Sequence, residues 1–348
     1  MLSGDAGNCA AEGRQHEAPR NNNHPRGAQE EGEPGVTLPW NTSSSGARVV
    51  AIGDIHGDLD ALVRIVLGMQ LIDHSGHWCG GTARLVLLGD LNDRGPDSVA
   101  VMTFVMRLER EARAVGGNVD ALVGNHEILA AAGDFRYVRG REALAVEHYW
   151  AGRLNGLEAI FRGDSPWAAW IRSRPTFLRI DSTLFVHAGL GVWAETTDPA
   201  STNLVVQRWL GHLQTNTEPA DTATEWLIEQ SGNGPMWTRA FEIGPKGTDR
   251  ETVRPEDLDR WLARLEAERV VVGHTPTKAI DHLVGHPHPE FGDAVAVADT
   301  GISAWYGGRL SAIEITGGHL EPRYFARGDE PLELTDALGR ESKTLLAE

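Results

Sequence analysis

The sequence predicts an α/β fold whose polar, reactive residues gather where strands end. Three observations carry that expectation. Short apolar runs of strand length, Val49 to Ile52, Arg84 to Leu88 and Val119 to Val123, each lead straight into Gly-Asp or Gly-Asn, the signature of a strand giving way to a turn. Helical periodicity follows each run, from Leu59 to Met69, from Pro96 or Asp97 through Glu111, and after Glu127. The same junctions then recur at His187-Ala188-Gly189 and Gly273-His274-Thr275. In open α/β sheets ligands collect beyond the carboxyl ends of strands, so these junctions are where a site is expected.

Length and composition bound the rest. A chain of 348 residues holds one large domain or two ordinary ones, with apolar content enough for a core. Its net charge of −17 argues against nucleic acid as a partner, because phosphate-backbone affinity rests on Lys and Arg. No run approaches the ~18 apolar residues of a membrane span, and the first residues lack the apolar stretch of a signal peptide. Cys9 and Cys79 fit neither a metal nor a redox spacing; a reduced, cytoplasmic setting is expected. Oligomeric state is left open.

Taken in order, residues 1–46 are rich in Gly, Asn, Glu, Pro and Ser and are expected to be a disordered tail, because they offer little apolar surface to offset ordering. A single folded domain is expected over 47–327. Within it, apolar spacing from Phe135 to Arg174 predicts a helical insertion over one rim of the sheet, carrying Arg139, Arg141, Arg153 and Arg162. Strand patterns resume at Phe177 to Ile180 and Thr183 to Val186, a second helical region covers about Asn203 to Gln230, and strands return at Arg269 to Val272 and Ala294 to Ala298. Leu310 to Ile315 is expected to close the sheet, with a loose tail over 328–348.

Six residues at or just past strand ends are candidate metal ligands: Asp54, His56, Asp90, Asn125, His187 and His274. Mixed carboxylate, carboxamide and imidazole donors suit a pair of divalent first-row metals such as manganese, iron or zinc. Asp90, from a central strand, can bridge two ions at the ~3.5–4 Å separation of two-metal hydrolases. Two dications against two carboxylates leave excess positive charge that attracts a phosphate dianion. Arg94 and Arg239 can add forked, permanently charged donors to phosphoryl oxygens. His282, His286 and His288 sit among Pro and Gly and read as loop residues, as do His74, His77 and Cys79; Asp299 reads as a turn former.

The ordered strings GDIHG, GDLNDRG, GNHE, HAG and GHT resemble the phosphoprotein phosphatase family of calcineurin-like metallophosphoesterases, from about Val49 to Ile315. GPMWTR and DTGISAWYGG are similar to its Shewanella-like branch. The resemblance implies a β-sandwich flanked by helices and two divalent metals, with manganese favoured over iron or zinc. It assigns Asp54, His56 and Asp90 to one ion and Asp90, Asn125, His187 and His274 to the other. It implies His126 as the acid for the leaving oxygen, Asp93 as its support, Arg94 and Arg239 on the phosphoryl group, and direct attack by a metal-bridging hydroxide. By analogy Tyr306 approaches the phosphate pocket. The family more often has HGG than HAG at the fourth motif, but Ala188 is small and leaves the His187 ligand in place. The implied substrate is a phosphoprotein or phosphopeptide, serine and threonine ahead of tyrosine. Relatives acting on dinucleoside polyphosphates commonly have Ala where this chain has Asp93, which disfavours that alternative; a metal-bound scaffold without turnover is the distant one.

Overall fold

In the computed structural model, residues 40–139, 156–215, 234–242, 253–277, 287–330, 332–335 and 338–340 are described. Two five-stranded sheets face each other. One runs β10-β9-β2-β3-β4 and the other β1-β5-β6-β7-β8. The strands are β1 (Asn41–Thr42), β2 (Val49–Ile52), β3 (Arg84–Leu87), β4 (Asn118–Ala121), β5 (Phe177–Ile180), β6 (Thr183–Val186), β7 (Arg269–Val272), β8 (Val295–Val297), β9 (Leu310–Thr316) and β10 (His319–Phe325).

Period-two alternation explains why these runs are apolar throughout. On β2, Val49 and Ala51 join the core between the sheets while Val50 and Ile52 point into the outer core. On β7, Val271 faces inward and Val270 and Val272 outward. Both faces are covered in the central strands β2, β3, β6 and β7, as expected within the parallel trios β2-β3-β4 and β6-β7-β8. Helices α1 (Leu59–Gly68) and α2 (Ser98–Ala114) cover the first sheet. Apolar residues at helical spacing, Leu59, Leu62, Val63 and Val66 among them, give α1 its buried stripe. Asp58 caps it, accepting the Ala61 N–H at 3.0 Å. Helix α7 (Pro255–Arg264) covers the second sheet through Leu258, Trp261 and Leu262.

Between them in sequence lie α3 (Asn125–Ala131), α4 (Gly156–Phe161), α5 (Pro166–Arg172) and α6 (Pro199–Thr215). The helical insertion is present as α4 and α5, which dock beside α2: Trp167 Nε1 donates to Thr103 Oγ1 at 3.0 Å and Trp170 Nε1 to Glu109 at 3.1 Å. Residues 140–155, with Arg141 and Arg153, lie outside the described residues, as do 216–233 of the second helical region.

Three boundaries differ from expectation. Asn41–Thr42 pairs in parallel with β5, so order begins before residue 47; Arg84 holds this piece by donating to Thr42 Oγ1 at 2.6 Å, a long-range contact that composition does not reveal. Residues 1–39 of the expected tail lie outside the described residues. Leu310–Thr316 does not close its sheet, because β10 pairs along its outer edge; the exposed, Pro322-containing β10 lacks an apolar face and so escapes a hydrophobicity reading. Beyond Arg327 the chain packs on α1: Leu332 N–H and Thr335 Oγ1 both donate to Asp60 Oδ1, and Leu338 is buried. Residues 341–348 lie outside the described residues.

Candidate active site

The parallel trios end at the same place, and the loops that follow β2, β3, β4, β6 and β7 converge there. Backbone contacts fix the approach. The N–H groups of Ile55 and His56 donate to the Asp90 carbonyl, and Gly273 N–H donates to the His187 carbonyl at 2.7 Å. A Cβ at Gly124 would overlap the Asp90 carboxylate, and one at Gly273 would overlap that of Asp54; only glycine lets these loops come so close. Five non-glycine residues here are left-handed: His56 (φ 48°), Asp90 (51°), Asp93 (67°), Arg94 (68°) and His274 (63°). Each such position costs on the order of 1 kcal/mol or more, strain that the surrounding packing must hold.

The geometry brings all six candidate ligands together, buried. His56 Nε2 lies 3.7 Å from Asp90 Oδ2 and 3.9 Å from Asp54 Oδ2, and His126 Nε2 is 3.9 Å from Asp90 Oδ2. On the other side, His187 Nε2 lies 3.5 Å from Asp90 Oδ1. Two sets, His56–Asp90–His126 and Asp90–His187–His274, each hold their donor atoms within 4.8 Å of one another, sharing Asp90. Asp54 accepts the His274 backbone N–H with both oxygens at 3.0 Å.

The donor set fits divalent metals. His187 Nδ1 donates to the Leu88 carbonyl at 2.8 Å, which leaves Nε2 a lone pair, and that lone pair faces the Asn125 Oδ1 acceptor at 3.0 Å. Two acceptors so placed call for a cation between them. Likewise His56 Nδ1 lies against the Asn92 carbonyl at 3.2 Å and turns Nε2 toward the carboxylates. Burial drives His56 down to about 3, and it lowers His187 and His274, which favours the lone-pair form of these rings that a metal requires. Burial followed by the Asp299 and Asp90 charges raises Asp54. For Asp90, burial is outweighed by His187, His126 and His56, and its carboxyl is lowered. Ligands ~2.1 Å from a tetrahedral ion sit ~3.4 Å apart, close to the separations here.

His126 and Asp93 form a second unit. His126 Nδ1 meets Asp93 Oδ2 at 2.6 Å. Burial disfavours the charged imidazole, but the Asp90 and Asp93 carboxylates outweigh it and raise His126. The His126 backbone N–H donates to Asp90 Oδ1 at 2.9 Å, tying this unit to the ligand cluster. Arg94 stacks on Tyr137 at 4.0 Å, and its buried Nε lacks a hydrogen-bond partner. The charge of Arg239 acts on His187, His274 and Asp299. The Tyr306 ring lies 5.2 Å from that of His56. Of the histidines read as loop residues, His288 is a buried core residue whose Nε2 meets the Phe241 carbonyl at 3.2 Å, and His77 pairs with Glu111 at 2.9 Å; His282 and His286 lie outside the described residues.

Sequence reasoning passed over Glu127 and undervalued Asp299. Glu127 accepts the N–H groups of Asp90, Leu91 and Gly124 at 2.8–2.9 Å. Burial and the Asp90 charge push its carboxyl up to about 7. Its position three residues after Gly124 is a legible capping signal. Asp299 does form a turn, accepting the Gly301 N–H at 2.8 Å, but its other oxygen is buried without a hydrogen bond beside the cluster.

Comparison with known proteins agrees with this geometry. The chain is 27% identical over 253 residues to Shewanella-like protein phosphatase 1 of Plasmodium berghei, covering 71% of this chain and 64% of that one. It is 37% identical over 145 residues to Shewanella-like protein phosphatase 2 of Arabidopsis thaliana, covering 38% and 37%. The match thus spans less than two thirds of either relative. The crystal structure of the cold-active protein-tyrosine phosphatase of a psychrophilic Shewanella species superposes with a TM-score of 0.67 at 25% identity, over 83% of each chain. The calcineurin-like phosphoesterase profile matches residues 47–278, the span that carries every one of the six candidate ligands, and the chain belongs to that family.

Proposed function

We propose that the protein is a two-metal phosphomonoesterase that acts on phosphoproteins. The observation that carries this reading is the placement of Asp90, with Oδ2 toward His56 and His126 and Oδ1 toward His187. Asp54, His56 and Asp90 would hold one ion, and Asp90, Asn125, His187 and His274 the other, with manganese the favoured metal. Such ions supply a nucleophile from water at neutral pH and neutralise phosphoryl charge. The chain's own residues do the rest. Arg94 and Arg239 grip phosphoryl oxygens through their forked guanidinium donors. Asp93 fixes the His126 ring through Nδ1, so that Nε2 carries a proton to the leaving oxygen. The left-handed Asp93 and Arg94 place support and grip side by side.

The grip recognises the phosphate and leaves the bearing side chain little constrained, so phosphoserine, phosphothreonine and phosphotyrosine are all admissible; the family resemblance makes phosphoserine and phosphothreonine the expected substrates. Phosphotyrosine is the second reading, favoured by the Tyr137 and Trp305 rings flanking Arg94 and by the named activity of the Shewanella enzyme. Asp93 weighs against dinucleoside polyphosphates. A reduced cytoplasmic setting suits a chain with two cysteines. Hydrolysis of p-nitrophenyl phosphate with added manganese, followed by a phosphopeptide panel, tests the reading. No turnover with any divalent metal would refute it. A phosphotyrosine preference above about tenfold in kcat/KM, ~1.4 kcal/mol, would reverse the substrate ranking.

A further inference from the structure

Two of the insertion's arginines, Arg162 and Arg139, differ in how the structure uses them. Arg162 is spent on α4 and α6: its guanidinium lies 3.7 Å from Glu158 and donates to the Leu213 carbonyl at 2.9 Å. Arg139 is exposed, and its guanidinium stands 5.8 Å from the Trp305 ring centre. Arg94 stands 5.8 Å from the same ring. Trp305 is 53% exposed, an unusual place for so large an apolar surface, and it is within reach of both cations. The neighbouring Arg136 is already paired with Asp134 at 2.6 Å, whereas Arg139 has no carboxylate partner among the described residues.

Both walls are held in place. Arg94 N–H donates to the Tyr137 carbonyl at 3.0 Å, which ties the segment carrying Arg139 to the loop after β3. On the facing side, Ala304 N–H donates to Asp58 Oδ2 at 2.8 Å, Arg327 bonds both Asp58 and the Ile302 carbonyl, and Ser303 caps the turn at Trp305. The indole is therefore presented on a braced turn, and ordering it costs a ligand little.

We propose that Arg139 and Trp305 form a subsite for an acidic side chain two or three residues from the phosphorylated residue of a peptide substrate. This rests on the reading of Arg94 as the phosphoryl grip. Each guanidinium stands 5.8 Å from one ring centre, so the two charges are no further apart than twice that distance. An extended peptide advances ~3.3 Å per residue, so two or three residues cover ~7–10 Å. With the phosphate on Arg94, a carboxylate at that remove reaches Arg139 while its aliphatic stem lies on Trp305. On a chain of net charge −17, such a local positive patch selects where an acidic peptide can settle.

The test uses two phosphopeptides that differ only by Glu or Gln at that position, with kcat/KM measured for each. Wild-type protein should favour the Glu peptide by about two- to fivefold, the size of an exposed ion pair, and the preference should shrink at high salt. Arg139→Glu should bring the ratio to one or below. Trp305→Ala should lower it, with Trp305→Phe retaining part. A ratio that is the same in wild type and Arg139→Glu would overturn the subsite while p-nitrophenyl phosphate turnover leaves the phosphatase reading standing. Absence of that turnover with every divalent metal would remove both.

Discussion

At the scale of single residues, the ligand cluster depends on a carboxylate that binds no proposed metal. Glu127 satisfies three buried N–H groups of the loops that carry Asp90 and Asn125. Glu127→Ala would leave them unpaired at ~1–3 kcal/mol each, less whatever water recovers. A melting temperature lowered by many degrees, together with reduced metal content by elemental analysis, is expected; an unchanged melt would contradict the role. At His126, replacement by Asn should cost on the order of 10²- to 10⁴-fold in turnover of alkyl phosphates and less for aryl phosphates, whose leaving groups need less help. Equal losses on p-nitrophenyl phosphate and a phosphoserine peptide would exclude the acid role. The candidate ligands are legible because each sits at or just past a strand end, five of them after a glycine and His187 directly after β6, a purely local pattern. Glu127 was visible in the same string, yet its work is done on Asp90, 37 residues earlier, and no local pattern shows that pairing. Trp305 and Arg139 are equally opaque: they approach each other across 166 residues of sequence, and only tertiary structure brings two guanidiniums near one ring.

Among the elements, the bond between α2 and α5 is polar at its centre. Glu109 and Arg174 pair where both are buried, Trp170 Nε1 donates to the same carboxylate, and the guanidinium lies 4.6 Å from the Trp170 ring centre. Burial raises the Glu109 carboxyl and lowers the Arg174 guanidinium, the mark of an ion pair that depends on both partners. Glu109→Ala, which strands the cation, is expected to destabilise the fold by ~3–5 kcal/mol, and an apolar replacement of both residues by much less. Urea unfolding of the two variants checks this; a single variant no worse than the double would disprove it. The helices themselves follow from periodicity. Their buried charges do not, since Glu109 lies on a helix face that reads as solvated. The strands were found wherever both faces are apolar and missed where burial is one-sided or slight, as at β1 and β10.

For the molecule as a whole, the proposed ions would lie between the sheets: Asp54, His56, Asp90 and Asn125 follow strands of one, His187 and His274 strands of the other. Metal binding should therefore stabilise the entire sandwich, by ~2.7 kcal/mol at a hundredfold excess over Kd. Melting curves with chelator and after manganese is restored should separate by several degrees, and coincident curves would rule out two ions joining the sheets. The strand order has a further effect while the chain is being made. Strand β2, which leads into the first two ligands, takes β9 as its antiparallel neighbour, with Val49 opposite Ile315. At ~5–20 residues per second, a ribosome reaches β9 on the order of ten to fifty seconds after finishing β2. Throughout that interval one edge of β2 has no native neighbour, and His274 is among the last ligands to emerge. A nascent chain that captured metal on its early ligands would hold it in an unfinished sheet, so the order of synthesis makes a chaperone or a slow metal supply useful to the cell.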